Sequence, residues 1–284
     1  MDQLTDQLAA KRDRLLELLA SFGSCAVAYS GGVDSAVVAK AAQLALADAA
    51  IAVTAVSASL ADGELEQALV LAKQIGIRHH RLDTNELANA SYSANAPDRC
   101  FHCKTELYTQ LAGLAEQLGV AVIASGTNAD DLGDYRPGLA AADNHGVRGP
   151  LAECGISKAE VRALASAWNL SAADKPASPC LSSRVAYGQA VTPERLRMID
   201  RAEQIVRSLG IAICRVRYFA GDVASIEVPT ELIASISVPA TYATLSDEFR
   251  RLGFESITVD PRGFRSGSLN EALMVHQIDM PPSD

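Results

Sequence analysis

The sequence predicts an α/β fold: a parallel, doubly wound sheet followed by a second, smaller α/β domain. Three observations predict it. Apolar strand-like runs alternate with helix-period segments from Cys25 to Ala124. A glycine-serine turn joins the first of these strands to the first following helix, and a proline-containing stretch at Lys175-Pro176-Ala177-Ser178-Pro179 interrupts all periodicity before shorter elements resume.

Taken in order, residues 2–21 carry Leu4, Leu8, Leu15, Leu18 and Leu19 at helical spacing. A strand at 25–29 leads through the glycine turn into a helix from Ser35, and a strand at 51–56 precedes a helix at 62–75. A short strand at 77–82, a helix at 104–118 and a strand at 120–124 complete the alternation. Such sheets bind ligands at the carboxyl ends of their strands, so the turn after Tyr29 and the segment after Ala124 are expected to face one cleft. The expected boundary leaves 1–180 as the sheet domain and 181–284 as the smaller one. In the latter, Thr192 caps a helix that starts at Pro193 and runs to 209, with strands at 211–219 and 225–228, helical segments over 230–252 and a last strand near 257.

With 49% hydrophobic and 21% charged residues over 284 positions, the chain is an ordinary globular one, large enough for two cores. No run approaches the roughly 18 apolar residues of a membrane span, and the polar start Met1-Asp2-Gln3 is no signal peptide, so a cytoplasmic protein is expected. A net charge of −9 argues against a broad nucleic-acid footprint.

Ser30-Gly31-Gly32-Val33-Asp34-Ser35, between strand and helix, makes an anion cradle: the glycines let successive N–H groups converge beside the positive end of the helix dipole. It lacks the Gly-Lys-Ser/Thr ending of the nucleotide P-loop and the third glycine of the dinucleotide fingerprint. It resembles instead the PP-loop of the ATP pyrophosphatase superfamily, which implies ATP as ligand at residues 30–35, split to AMP and pyrophosphate. The run from Gly126 through Asp130, Asp131, Asp134 and Arg136 to Gly138 is too polar and glycine-rich for core; the carboxylates of Asp130 and Asp131, with that of Asp34, suit Mg2+ directly or through water.

Of six cysteines, Cys25 and Cys214 lie in apolar strand-like runs and are expected to be packing residues. Cys100-Phe101-His102-Cys103 opens a helix and Cys180 lies in the proline-containing loop. Helix N-termini favour thiolate, the form that ligates metal or attacks carbon. Two close thiolates and a distant one can hold three irons of a four-iron four-sulfur (4Fe-4S) cluster and leave the fourth open; a redox pair or plain packing also fits a lone CxxC. Trp168 reads as packing and His79-His80 as surface.

Three motifs in order, the PP-loop, Gly126-Thr127-Asn128-Ala129-Asp130-Asp131-Leu132-Gly133-Asp134-Tyr135-Arg136-Pro137-Gly138 and Lys175-Pro176-Ala177-Ser178-Pro179-Cys180-Leu181-Ser182-Ser183-Arg184, resemble the LarE family over most of the chain. The resemblance implies an ATP-dependent sulfurtransferase that converts the carboxylates of pyridinium-3,5-biscarboxylic acid mononucleotide to thiocarboxylates for the nickel-pincer nucleotide of lactate racemase. It implies Gly126 and Lys175 as further ATP-binding residues, and Cys180, Asp34, Ser183 and Arg184 as catalytic ones. Family members with a single cysteine at the Cys180 position sacrifice its sulfur. This sequence adds Cys100 and Cys103, which implies a 4Fe-4S cluster on Cys100, Cys103 and Cys180, fed by an external sulfide source. The anionic substrate calls for cations, and Arg215 and Arg217, on one strand face, join Arg184, Asp134 and Arg136 as candidates. Glu203 and Glu227 match acidic metal positions of the family loosely, with a surface role as the alternative. A homo-oligomer, in hexameric form through the smaller domain, is also implied. Sacrifice of Cys180, tRNA thiolation and a noncatalytic iron-sulfur or nickel carrier stay open as alternatives.

Overall fold

The computed structural model describes residues 5–133 and 137–265; Asp134 and Arg136 lie outside the described residues. The chain divides into two compact units, residues 1–92 with 98–178, and residues 93–97 with 179–284.

The first unit opens on α1 (Asp6–Ala20), started by Thr5, whose hydroxyl accepts from the Leu8 N–H at 3.3 Å. Four strands follow: β1 (Cys25–Ala28), β2 (Ala50–Val56), β3 (Arg78–Asp83) and β4 (Val122–Ala124). They pair in the order β3-β2-β1-β4, all parallel. Between and after them run α2 (Val33–Leu46), α3 (Glu64–Ile75), α4 (Ala90–Ser93), α5 (Arg99–Leu118), α6 (Pro137–Asn144), α7 (Pro150–Glu153) and α8 (Lys158–Ala167). The small apolar side chains of β1 and α2 allow close layering: Val27, Val37 and Val38 are fully buried together with Leu15 and Leu19 of α1. Burying each such leucine or valine contributes about 1.5–3 kcal/mol.

The strand order sets where a ligand belongs. From β1 the chain passes to β2 and β3 on one side, whereas β4 pairs on the other side of β1, so a crevice opens at the carboxyl ends of β1 and β4. The glycine turn follows β1 and the polar Ser125–Asn128 run follows β4.

In the second unit, α9 (Pro193–Ser208) starts at the expected Thr192 cap, with Pro193 at its first position. A three-stranded sheet follows, β5 (Arg215–Phe219) antiparallel to β6 (Val223–Glu227), which pairs parallel with β7 (Ser256–Val259). The helical segments expected over 230–252 are a short turn, α10 (Ile233–Ile236) and α11 (Pro239–Leu252), divided before Pro239, which has no N–H to continue the ladder and instead starts a helix. The strand expected from 211 begins at Arg215.

Residues 93–97 also depart from the expected boundary: they belong with the second unit. Asn95, fully buried and left-handed at φ 58°, donates from Nδ2 to the carbonyl oxygens of Val185 (3.2 Å), Ala186 (2.9 Å) and Gln189 (2.9 Å). These long-range bonds are invisible to local periodicity.

No helix among the described residues is long and apolar enough to cross a membrane.

Candidate functional site

The glycine turn has the geometry of a cradle. Gly31 takes φ +73°, and a Cβ there would meet Ala68 Cβ at 3.1 Å, so α3 approaches the turn too closely for a side chain. The turn braces itself: Ser35 Oγ donates to the Gly32 carbonyl at 3.0 Å and accepts from Ser30 N at 3.2 Å, while Ser30 Oγ accepts from Gly32 N at 3.3 Å. Ser35 is buried and works as a brace; Ser30 is exposed. α2 then starts at Val33 with Gly32 as its cap, which directs its first N–H groups at the turn.

Three segments far apart in the sequence meet on Asp34. Its Oδ1 accepts from Asn128 Nδ2 at 3.1 Å, and its Oδ2 accepts from the Lys158 ammonium in a short contact. Gly126 presses on the same point: a Cβ there would lie 2.8 Å from Ser35 N and 3.1 Å from Asp34 Cβ, so only glycine lets the loop after β4 close on the head of α2. Asp130 Oδ2 accepts from Lys158 N at 2.8 Å and Asp131 Oδ2 accepts from Asn128 N at 3.1 Å. One oxygen of each expected magnesium ligand thus shapes the loop.

Lys158 and Asn128 were not anticipated. A signal for Lys158 was present: Ser157-Lys158-Ala159-Glu160 reads as a capping box, and in the structure Ser157 Oγ accepts from Glu160 N at 3.3 Å while Glu160 Oε2 accepts from Ser157 N at 2.8 Å. That box starts α8 at the position where Lys158 faces Asp34.

Lys175, expected at ATP, is paired with Glu64 of α3 at 2.8 Å, and Ser178 Oγ donates to the other Glu64 oxygen at 3.1 Å. The 173–178 segment is further held by Arg162, which donates to the Ala173 and Lys175 carbonyls.

In the second unit, Cys180 is exposed and heads a turn of 3-10 helix, Leu181–Arg184. Arg184, 4% exposed, turns inward: its Nη1 donates to the Pro179 carbonyl and, at 3.1 Å, to the Cys180 carbonyl, while Nε and Nη2 pair with Glu203 at 3.0 and 3.4 Å. Arg217 acts likewise, donating to the Ser183 carbonyl at 2.7 Å and bidentately to Glu227 at 3.1 and 3.2 Å. Two guanidiniums therefore hold by its carbonyls the turn that presents the Cys180 thiol. Ser183 Oγ donates to the Cys180 carbonyl at 2.7 Å.

This corrects two expectations. Glu203 and Glu227 are buried, at 0% and 3% exposure, and not surface residues; their oxygens pair with Arg184, Arg207 and Arg217. Arg184 and Arg217 are internal struts whose charges are met by carboxylates. Arg215 differs. It is equally buried, lies 4.4 Å over the Phe264 ring and donates to the Arg265 carbonyl at 3.1 Å, but no carboxylate pairs with it among the described residues. Burial first, then the charges of Arg217 and Arg184, lower its pKa to about 10.

Cys100 is exposed and Cys103 half-buried, three apart at the start of α5 and so neighbours on its surface. Cys25, Cys154 and Cys214 are buried; burial pushes the thiols of Cys25 and Cys214 up to about 12, which makes them inert packing groups as expected. Among the described residues no three His, Cys, Asp or Glu side chains gather into a metal-binding group. His79 is half-buried rather than surface, its Nε2 2.8 Å from Thr54 Oγ1.

Residues 13–108 match the model of the NAD synthase family. Over 272 residues, 95% of this chain and 98% of the relative, the chain is 35% identical to pyridinium-3,5-bisthiocarboxylic acid mononucleotide synthase of Lactiplantibacillus plantarum. It is 45% identical over 266 residues to an uncharacterized protein of Synechocystis sp., covering 94% of this chain and 99% of that one. A tRNA-specific 2-thiouridylase of Xanthobacter autotrophicus is 33% identical over 212 residues, 60% of this chain and 54% of the relative.

Proposed function

Because the chain belongs to the LarE family of pyridinium-3,5-bisthiocarboxylic acid mononucleotide synthases, we propose that it thiolates pyridinium-3,5-biscarboxylic acid mononucleotide on the way to a nickel-pincer nucleotide. It is an ATP-dependent sulfurtransferase of the PP-loop type. The observation that carries the reading is the junction at Asp34, where the glycine cradle, the loop after β4 and Lys158 of α8 converge. A cradle of N–H groups with a carboxylate and an ammonium at its rim suits a magnesium-bound polyphosphate: Mg2+ is held by one or two carboxylates plus phosphate oxygens, and no closed protein cage is needed.

In the proposed sequence, ATP lies with its β- and γ-phosphates on residues 30–35; Asp34 would hold Mg2+, which would neutralise phosphate charge, and Lys158 would turn from Asp34 to phosphate. A substrate carboxylate oxygen attacks the α-phosphorus; the bond to the bridging oxygen breaks and pyrophosphate leaves with its electron pair. The resulting acyl adenylate has AMP as leaving group in place of oxide. Hydrosulfide then attacks the acyl carbon, AMP departs with the C–O electron pair and the S–H proton is lost, leaving a thiocarboxylate. Were the Cys180 thiolate the nucleophile, a thioester would form and its Cβ–S bond would break as the Cα proton is removed, leaving dehydroalanine. Arg215, whose guanidinium forms no direct ion pair among the described residues, is the proposed partner of the substrate's phosphate or second carboxylate.

Cys180 is the proposed site of sulfur delivery, and Cys100, Cys103 and Cys180 the proposed holders of a 4Fe-4S cluster. Their support is chemical: the soft donors of a CxxC pair, one thiol exposed and one half-buried, and of a third, exposed thiol, set against three thiols buried as packing. Such a cluster with three protein ligands supplies an open iron for an extra sulfide. The test is anaerobic incubation with Mg-ATP, the biscarboxylate mononucleotide and sulfide, with mass detection of the product and assay of protein-bound iron and acid-labile sulfide. A thiocarboxylate from wild type, and loss of iron in both Cys100→Ala and Cys180→Ala, is expected. Thiocarboxylate formed by iron-free protein, with one hydrogen sulfide lost from its mass, assigns Cys180 as a sacrificial donor instead.

A further inference from the structure

The carboxyl ends of β2 and β3 carry a buried acid that none of this chemistry uses. Glu86, 3% exposed, lies in a single 3-10 turn after β3. Its Oε1 accepts from Ser57 Oγ and from Ser59 Oγ, each at 2.6 Å, and its Oε2 accepts from Thr84 Oγ1 at 3.1 Å. No ion pair reaches Glu86 among the described residues. Burying a carboxyl group among neutral donors is costly, and an apolar residue of similar volume would fill the same space at less cost.

What a carboxylate adds is acceptance of several hydroxyl bonds at once. The three hydroxyls belong to two loops: Ser57 and Ser59 follow Val56, the last residue of β2, and Thr84 follows Asp83, the last of β3. Ser57 Oγ also accepts from Ser59 N at 3.2 Å, and Thr84 N donates to the Val56 carbonyl at 3.0 Å. Glu86 thus ties both loops into one rigid corner.

That corner flanks the cradle. β2 is the neighbour of β1, and strands stand about 4.8 Å apart, so the corner lies roughly 5–10 Å along the sheet edge from the glycine turn. On the other side of the turn, the loop at Gly126 is packed against Ser35 and Asp34. A nucleoside that extends over β2 from phosphates held on the turn would meet Ala55 and Val56, which are partly exposed at the strand's end.

We propose that Glu86 is a positioning residue for the nucleoside half of ATP: by locking residues 57–59 it presents a preformed wall to base and ribose, so that binding does not have to order this loop. The proposal rests on the reading of the glycine turn as an ATP site.

Calorimetric titration of the full chain with AMP and, separately, with inorganic pyrophosphate, both with Mg2+, tests it. Glu86→Ala is expected to weaken AMP by about tenfold while pyrophosphate stays within about twofold, because the loop's ordering would then be part of nucleoside binding alone. Glu86→Gln, which keeps one acceptor oxygen, is expected to recover AMP affinity to within about threefold of wild type. Unchanged AMP affinity in Glu86→Ala, or equal weakening of both ligands as a merely structural role would give, overturns the proposal. If Glu86→Ala does not fold, Ser59→Ala with Thr84→Val removes two of the donors and is read the same way. Wild type that binds neither ligand overturns the ATP reading, and this proposal with it.

Discussion

Lys158 and Asp34, 124 residues apart in sequence, form an ion pair at the head of the PP-loop helix. Both side chains keep substantial contact with solvent, so the pair itself is worth about 0–1 kcal/mol to stability. Its significance is for ligand binding: the cation stands beside Asp34, the carboxylate proposed to hold Mg2+. Lys158→Ala is expected to leave the melting temperature nearly unchanged and to lower kcat/KM for ATP by about 10- to 100-fold, the loss of one charge-assisted phosphate contact. A parallel thermal melt and initial-rate series at varied ATP measures both.

Cys180 sits on a turn held by carbonyl contacts to Arg184 and Arg217, and its thiol takes no part in that support. Cys180→Ala should therefore preserve the turn and the first half-reaction. Pyrophosphate release on adenylation is expected to continue to a single equivalent, while thiocarboxylate falls to background in the product mass spectrum.

Gly126→Ala places a methyl group 2.8 Å from Ser35 N, a contact with backbone that cannot rotate away. The loop after β4 must retreat from Asp34. A loss of about 1–3 kcal/mol in urea unfolding, together with weaker ATP binding, is the expected result.

Removing charge from Glu203 leaves Arg184 buried without its counterion and deprives Arg207 of its i−4 partner. Truncating one member of a buried pair costs about 3–5 kcal/mol, so Glu203→Ala is expected to lower the urea midpoint steeply and to loosen the Cys180 turn. Faster alkylation of Cys180 than in wild type, measured under conditions where the variant is still folded, checks the second effect.

His79 has its pKa lowered, by burial first and then by the neighbouring charge of His80. The unfolded chain then binds a proton more readily than the folded one. The stability that neutral His79 preserves is complete above the ordinary histidine value of about 6.5 and declines as pH falls from there through the lowered folded value. Thermal melts from pH 8 to 5 are expected to show this decline, and His79→Asn to show a shallower one.

Much of this was legible in the sequence because it is local. The alternation of strands and helices, the glycine turn between Tyr29 and Val33 and the Thr192-Pro193 helix start all follow from spacing and backbone chemistry, and the structure has each of them. What local pattern could not supply are contacts between distant segments. Arg184, Arg215 and Arg217 look alike as cations in a sequence, yet their roles are separated by Glu203 and Glu227, carboxylates that only the folded unit brings to them. Asn95 joins the second unit through carbonyls about 90 residues away. Lys158 was within reach, through the capping box at Ser157 and Glu160, but its pairing with Asp34 needs the fold.

The most direct measurement is exchange of labelled pyrophosphate into ATP, with and without pyridinium-3,5-biscarboxylic acid mononucleotide. Reversible adenylation of a carboxylate at the PP-loop predicts exchange that depends on the mononucleotide, survives in Cys180→Ala and disappears in Asp34→Ala. Thiocarboxylate formation by wild type without any substrate-dependent exchange, or undiminished exchange in Asp34→Ala, contradicts it.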